Sequence, residues 1–345
     1  MNLIKNLVFK NRAVWQPDLY QGFGRTHKYF EGWYFKIVDA TEKYAFAIIP
    51  GISMDKSGER HAFIQILDGK KCTSEYFRFP TDEFKHATKK FELHIGDNFF
   101  SHHTLKLNLE TVQGNLFFTE NIPWSKMLGA QGIMGWYGFV PFMECYHSIM
   151  SLNNTLSGEL IIDGKAIDFT NGKGYIEKDW GVSFPSAWIW LQSNHFHQNL
   201  NDKSISLFAS VAKIPWLGTA FNGFIVGFWF EGKLYKFATY NGSRYKIEIL
   251  NNSIELTFTH KQHTLQISAI KAGTGELIAP FNGGMTGKVS ESLQSELHIK
   301  FYKNAKLMYE GVGRNAGLEA AGNVECLVDA KNLVAVKHEG TLLEK

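Results

Sequence analysis

Along most of the chain, β-branched and aromatic residues recur in short runs that alternate apolar with polar positions, and Gly, Asn and Asp separate the runs. This pattern predicts strands and few helices. Phe30 to Val38 and Tyr44 to Ile49 flank "DATEK" as a hairpin. Glu159 to Ile162 pairs in the same way with Ala166 to Phe169 around Asp163-Gly164, and Phe224 to Phe230 with Leu234 to Ala238 around Glu231-Gly232. Further on, Tyr245 to Ile249, Ile254 to Thr259 and Thr264 to Ile270 form a meander, and Glu296 to Tyr302 with Lys306 to Gly311 another hairpin. Connections this short require antiparallel neighbours.

So many strands over 345 residues predict an all-β chain of two antiparallel barrel or sandwich domains packed together, since closure removes exposed edges. The polar "NLNDK" stretch, Asn199 to Lys203, is the expected boundary and divides the chain into 1–198 and 199–345. Two Gly- and Pro-containing loops are expected, Asn121 to Pro141 and Gly273 to Gly287. They carry Trp124, Met127, Met134, Trp136, Tyr137, Ile278, Phe281 and Met285. Such loops suit a lid over an oily ligand, or pack against their own domain.

Composition sharpens the picture. Aromatic residues make up 14% of the chain, with 28 Phe, 13 Tyr and 9 Trp, which points to an aromatic interior or cavity and a hydrophobic small-molecule partner. The net charge of +3 with no Lys/Arg block excludes a nucleic-acid footprint. Cys72, Cys145 and Cys326 are odd in number and widely spaced, so they predict no disulfide framework and fit a reducing compartment. The segment "MNLIKNLVFKNRAVWQPD" is interrupted by Lys5, Asn6, Lys10 and Arg12 and does not read as a signal peptide, so the expected location is cytoplasmic. Apolar runs such as Gly223 to Phe230 fall short of the roughly 18 residues of a membrane helix, leaving peripheral membrane contact at most.

Strand alternation also sorts the candidate chemistry. Tyr175, Glu177 and Asp179 share one face of their strand, opposite Ile176, Lys178 and Trp180. Two carboxylates on one face of a poorly hydrated pocket keep one of them protonated, as a general acid requires; solvation or pairing with Lys173 or Lys178 is the plain alternative. Trp188, Trp190, Gln192, Asn194 and Phe196 share a face of the next strand, where indoles can face a carbocation and amides orient a hydroxyl, or simply fill a core. Glu31 aligns with Trp33, Glu144 with Tyr146, and Cys145 with His147. No G-x-S-x-G elbow is present, "GVGRNAG" at 311–317 lacks dinucleotide-site spacing, and His195 with His197 has no evident third ligand; no metal or other cofactor is expected.

Three stretches carry a resemblance: "FEGWYFK" at 30–36, "GYIEKDWGVSFPSAWIWLQSN" at 174–194 and "IPWLGTAFNGFIVGFWFEGKLYKFATYNG" at 214–242, in this order, resemble the tocopherol cyclase family. The resemblance implies a two-domain lipocalin-like architecture, related in form to the carotenoid hydratases. It also implies a cyclase that turns a prenylated hydroquinone into a chromanol without change of oxidation state. An acid would protonate the prenyl alkene and the phenol oxygen would attack the tertiary cation, with Glu177, Asp179 or Glu31 as acid. Trp33, Tyr175, Trp180, Trp188, Trp190, Gln192, Asn194, Glu144, Tyr146 and His147 are the expected substrate-binding residues. Plant members commonly carry Asn in an "EKNWG" run where this chain has Asp179, and "FPRKWFW" where it has "FPSAWIW", which favours Glu177 and Glu31 over Asp179 and leaves the substrate open. An isoprenoid hydratase, capturing the same cation with water, and a non-catalytic carrier of an apolar ligand are the alternatives.

Overall fold

A computed structural model describes residues 15–125, 132–140, 143–196, 204–216 and 218–328. The first sheet comprises β1 (Tyr29–Val38), β2 (Ala45–Met54), β3 (Arg60–Asp68), β4 (Thr73–Phe79), β5 (Phe84–His86), β6 (Glu92–Ile95), β7 (Asn98–Ser101), β8 (Thr104–Asn108), β9 (Val112–Thr119), β10 (Cys145–Ile162), β11 (Lys165–Asp168) and β12 (Lys173–Gly181). The second comprises β13 (Ala187–Ser193), β14 (His195–Phe196), β15 (Ser206–Trp216), β16 (Thr219–Phe230), β17 (Lys233–Ala238), β18 (Arg244–Ile249), β19 (Ser253–His260), β20 (His263–Ile270), β21 (Gly275–Phe281), β22 (Gly284–Lys303) and β23 (Lys306–Gly322). Among the described residues every pairing is antiparallel, and the predicted hairpins and meander are all present. The chain is all-β, built as two lipocalin-like antiparallel units.

Strand order runs β4-β3-β2-β1-β12-β10-β9-β8-β7-β6-β5 in the first sheet, with β11 on β10. In the second it runs β17-β16-β15-β13-β23-β22-β20-β19-β18, with β14 on β23 and β21 on β22. The stretch 174–194 therefore supplies a central strand to each sheet, β12 between β1 and β10, then β13 between β15 and β23. The changeover between sheets falls at residues 182–186. The boundary expected at 198/199 lies within 197–203, outside the described residues, and β13 and β14 ahead of it already pair in the second sheet.

Period-two alternation gives each central strand two apolar destinations. On β1, Trp33, Phe35 and Ile37 enter the core enclosed by the first sheet, while Tyr34 and Val38 face the second sheet. On β13, Ile189 and Leu191 enter the second sheet's own core, while Trp190 joins Tyr34, Tyr175 and Phe208 between the sheets. Among the described residues three hydrophobic clusters result, one inside each unit and one where they meet.

The segment 273–287 is not the loop expected from its Gly content. It forms β21 and the start of β22, joined by Asn282 (φ 52°) and Gly283 (φ 82°). Two successive positive φ values form the tight hairpin turn that matches strand twist. A Cβ at Gly283 would lie 2.4 Å from Lys28 Cα and from Met54 O, so only glycine lets this hairpin dock on the first sheet. Gly283 N–H donates to Val182 O and Ser53 Oγ–H to Gly283 O at 2.9 Å. In the other expected loop, Gly135–Phe139 forms a 3-10 turn. Among the described residues no helix is long and apolar enough to cross a membrane.

Candidate active site

A cavity opens between the two sheets. Phe30, Phe63, Met143, Phe184, Phe221 and Val289 contribute to its mostly apolar wall. Met134, Tyr137, Ile278 and Met285, four of the expected lid residues, line it as well. Trp124 is buried in the cluster between the sheets, Trp136 and Phe281 are exposed, and Met127 lies outside the described residues.

Against this apolar lining stand several ionisable side chains. On β12, Glu177 and Asp179 do share the cavity face, and β10 aligns His147 opposite Asp179 and Cys145 opposite Gly181. His147 Nδ1–H donates to Asp179 Oδ1 at 2.6 Å, and its Nε2 lies 3.4 Å from Glu177 Oε2. Burial alone would lower the imidazole pKa, but the adjoining Asp179 and Glu177 charges outweigh it and push it up to about 10. The cluster thus holds a cation between two carboxylates. Glu177 Oε2 also accepts from Tyr175 Oη–H at 2.5 Å and from Trp190 Nε1–H at 3.1 Å.

Two further acids complete the site, and sequence reading missed both. Glu291 on β22 and Glu319 on β23 are cross-strand partners, and both line the cavity. Tyr34 Oη–H donates to Glu291 Oε1, and Trp188 Nε1–H to Glu319 Oε2 at 2.6 Å. Burial, more than it is opposed by the Trp188 hydrogen bond, raises the Glu319 pKa to about 8, with Glu177 and Asp179 adding to the rise. Burial and the Glu319 charge likewise hold Glu291 well above the usual carboxylate range. The signal for Glu291 is its place between Val289 and Leu293 on the apolar phase of β22, where a carboxylate is out of pattern. Glu319 stands two residues after Gly317, whose missing side chain admits the Trp190 ring, since a Cβ there would lie 2.4 Å from Trp190 Cζ3.

Other expected site residues fall elsewhere. Glu31, Trp33 and Trp180 point to the opposite face of the first sheet, into its own core. Glu31 Oε1 pairs there with Lys178 Nζ at 2.5 Å, and the ammonium lies 4.7 Å from the ring centroids of both Trp33 and Trp180. The carboxylate beside an indole at Glu31 is thus the shell of a buried lysine. Tyr146 stacks on Trp180 and donates to Val140 O at 2.8 Å. The Gln192 amide oxygen accepts from the buried Lys36 Nζ at 2.8 Å, and Asn194 Nδ2–H donates to Gly174 O at 2.9 Å, so both amides tie the sheets together away from the cavity lining. Glu144 is half-buried and also outside the lining, its backbone carbonyl accepting from Val182 N–H at 2.8 Å.

Among the described residues, His147, Glu177 and Asp179 are the group able to hold a metal ion, with one ligand atom each lying within 4.8 Å of the others. His195 is buried and pairs in register with Arg314, while His197 lies outside the described residues. "GVGRNAG" is part of β23.

The His147 and Glu319 shifts predict how stability depends on pH. The folded state binds protons more tightly than the unfolded chain at both groups, so stability falls as pH rises. The Glu319 contribution is lost between about 4.5 and about 8. The His147 contribution is complete below about 6.5 and lost through about 10. Denaturant midpoints of the full chain and His147→Gln, measured across this range, should differ most below pH 6.5 and converge towards pH 10. A constant difference would refute the assignment.

The family model described as tocopherol cyclase-like matches residues 119–322, more than half of the chain. A tocopherol cyclase of Zea mays, described as chloroplastic, is 25% identical over 195 residues, covering 56% of this chain and 40% of the maize protein. The match thus spans less than half of that relative's length. Among solved structures, CghA with Sch210972 superposes with a TM-score of 0.53 at 11% identity, covering 85% of this chain and 89% of that one. A Nitrosomonas europaea protein described as a candidate AttH gives 0.51 at 13% identity, covering 85% and 92%. These structural likenesses show a shared fold. With the stretch 174–194 forming the two central strands β12 and β13 that bound the cavity, and with the family model matching residues 119–322, which include both strands, the chain belongs to the tocopherol cyclase-like family.

Proposed function

We propose that the protein closes a chromanol ring on a prenylated hydroquinone by acid-catalysed protonation of the prenyl alkene and attack of the phenol oxygen. The observation that carries this reading is one cavity that combines apolar, aromatic walls with a compact set of acids and bases. Ring closure needs both. Protonating an alkene requires a carboxylic acid kept neutral near physiological pH, and the resulting cation must be shielded from water.

Trp188 and Trp190 line the cavity, and their N–H groups are taken up by Glu319 and Glu177. Indole faces so fixed stabilise a passing cation by roughly 2 kcal/mol when desolvated. The His147–Glu177–Asp179 cluster supplies carboxylate oxygens to receive the phenol proton as the C–O bond forms. The net change is an isomerisation, so the chemistry calls for no external oxidant or reductant. Free Cys72, Cys145 and Cys326 fit a reducing, cytoplasmic setting for the enzyme.

Anaerobic incubation of the full chain with a reduced prenyl hydroquinone should yield a chromanol of unchanged mass, enriched in one stereoisomer and absent with boiled protein. A product heavier by one water would assign a hydratase instead. Quinol binding without conversion would assign a carrier.

A further inference from the structure

We propose that the proton donor to the substrate is the Glu291–Glu319 pair, a carboxyl dyad on β22 and β23 that holds one proton at the cavity wall. The inference rests on the ring-closing reading above and assigns its acid to residues that lie outside the family-like motifs. Three observations carry it.

The first is register. Glu291 and Glu319 are direct cross-strand partners, and both side chains reach the same cavity. Directly opposed side chains of an antiparallel pair have Cβ atoms about 4.5–5.5 Å apart, so two full negative charges would repel strongly in these surroundings. The second is the partner set. Glu291 receives Tyr34 Oη–H and Glu319 receives Trp188 Nε1–H, both neutral donors, and the ion pairs among the described residues include neither glutamate. Lys36, the buried amine whose charge is felt at Glu291, directs its Nζ to Gln192. The third is an orphan atom: Glu291 Oε2 is buried with no hydrogen-bond partner. A bare carboxylate oxygen left unpaired in an apolar cavity is costly, whereas a protonated one is a donor awaiting an acceptor.

The charged groups around the dyad divide the labour. Glu177, Asp179 and His147 bear electrostatically on Glu319, and Glu177 and Lys36 on Glu291. Glu177 Oε2 accepts from Tyr175 and Trp190 and lies 3.4 Å from His147 Nε2, so the groups around it are donors and it stands opposite the dyad as an acceptor. In the forward step the dyad O–H bond breaks as a C–H bond forms at the alkene, leaving a tertiary cation facing a doubly ionised pair. The phenol oxygen then forms the C–O bond, its proton passes to the Glu177–Asp179 side of the cavity, and it returns to the dyad before the next turnover. Atoms and electrons balance within the enzyme–substrate complex.

Glu291→Gln and Glu319→Gln in the full chain test the assignment, because Gln mimics a neutral carboxyl in shape. Each variant should lose about 10²–10⁴-fold in ring-closure rate while still binding the prenyl hydroquinone. In infrared difference spectra at neutral pH, wild type should show a carboxylic-acid C=O band that either substitution removes or shifts. Both variants should remain folded and be at least as resistant to denaturant as wild type above pH 8, where Gln removes the cost of ionisation. Full activity in both variants of a wild type that does form chromanol would overturn the donor role and leave the cyclase reading intact. Wild type showing the band but forming no chromanol would overturn the cyclase reading and its donor while leaving the protonated dyad. A band unchanged in both variants would overturn the dyad itself.

Discussion

Glu177→Gln is expected to lower the rate of ring closure by about 10²–10⁴-fold, the usual contribution of a positioned acid or base, while binding of the prenyl hydroquinone survives. The amide keeps the size of the side chain and an oxygen that can accept from Tyr175 and Trp190, so the cavity wall stays in place. What is lost is the negative charge beside His147 and the ability to take up a proton. Glu177 is one of the two carboxylates that raise the His147 pKa, so with its charge gone the imidazole should titrate at lower pH in the variant. NMR of the His147 ring through a pH titration reads this shift independently of turnover. Unchanged ring closure would remove Glu177 from the chemistry, and an unchanged His147 titration would contradict the geometry of the cluster.

The reason this residue was legible in the sequence, and the dyad was not, is geometrical. Glu177 and Asp179 lie two apart on one strand, so alternation alone places them on a common face, and the same rule places Cys145 with His147 on β10. Their meeting across strands needed only that β12 pair with β10. Glu291 and Glu319 come from strands whose alignment passes through register shifts between Ser292 and Leu297, which no local pattern reveals. The fold was legible because hairpin turns are local, as at Asp163-Gly164 and Glu231-Gly232, where paired positive φ values close the turns. The hairpin at Asn282-Gly283 carries the same signal, but Pro280 and the glycines around it masked the strands as a loop.

Alternation also left a choice it could not make. It put Glu31 beside Trp33, and Glu177 on the strand just before Trp188 and Trp190, and the two arrangements look equivalent on paper. Only the placement of each sheet face separates them. The Glu177 face meets the second sheet and a cavity, whereas the Glu31 face closes on a core that already contains Lys178.

That distinction makes the second large effect one of stability. Lys178→Met is expected to destabilise the full chain by about 3–5 kcal/mol, the cost of leaving one member of a buried ion pair without its counter-charge. Lys178 and Glu31 side chains are both 0% exposed, and the lysine also donates to Pro17 O at 2.8 Å and Leu19 O at 2.6 Å. Glu31 in turn accepts from Gln21 N–H at 2.9 Å, from Gly22 N–H at 3.1 Å and from Tyr29 Oη–H at 2.5 Å. The pair therefore pins residues 17–22 against β1 and β12, and its loss should expose Trp33 and Trp180 to solvent first. Chemical denaturation followed by tryptophan fluorescence measures the loss. Because the penalty belongs to the unpaired charge rather than to the absence of the pair, adding Glu31→Gln to Lys178→Met should recover much of it. Additive losses in the double variant would mean that the two residues act separately, and a catalytic role for Glu31 would require activity to fall in Glu31→Gln even where the chain remains folded.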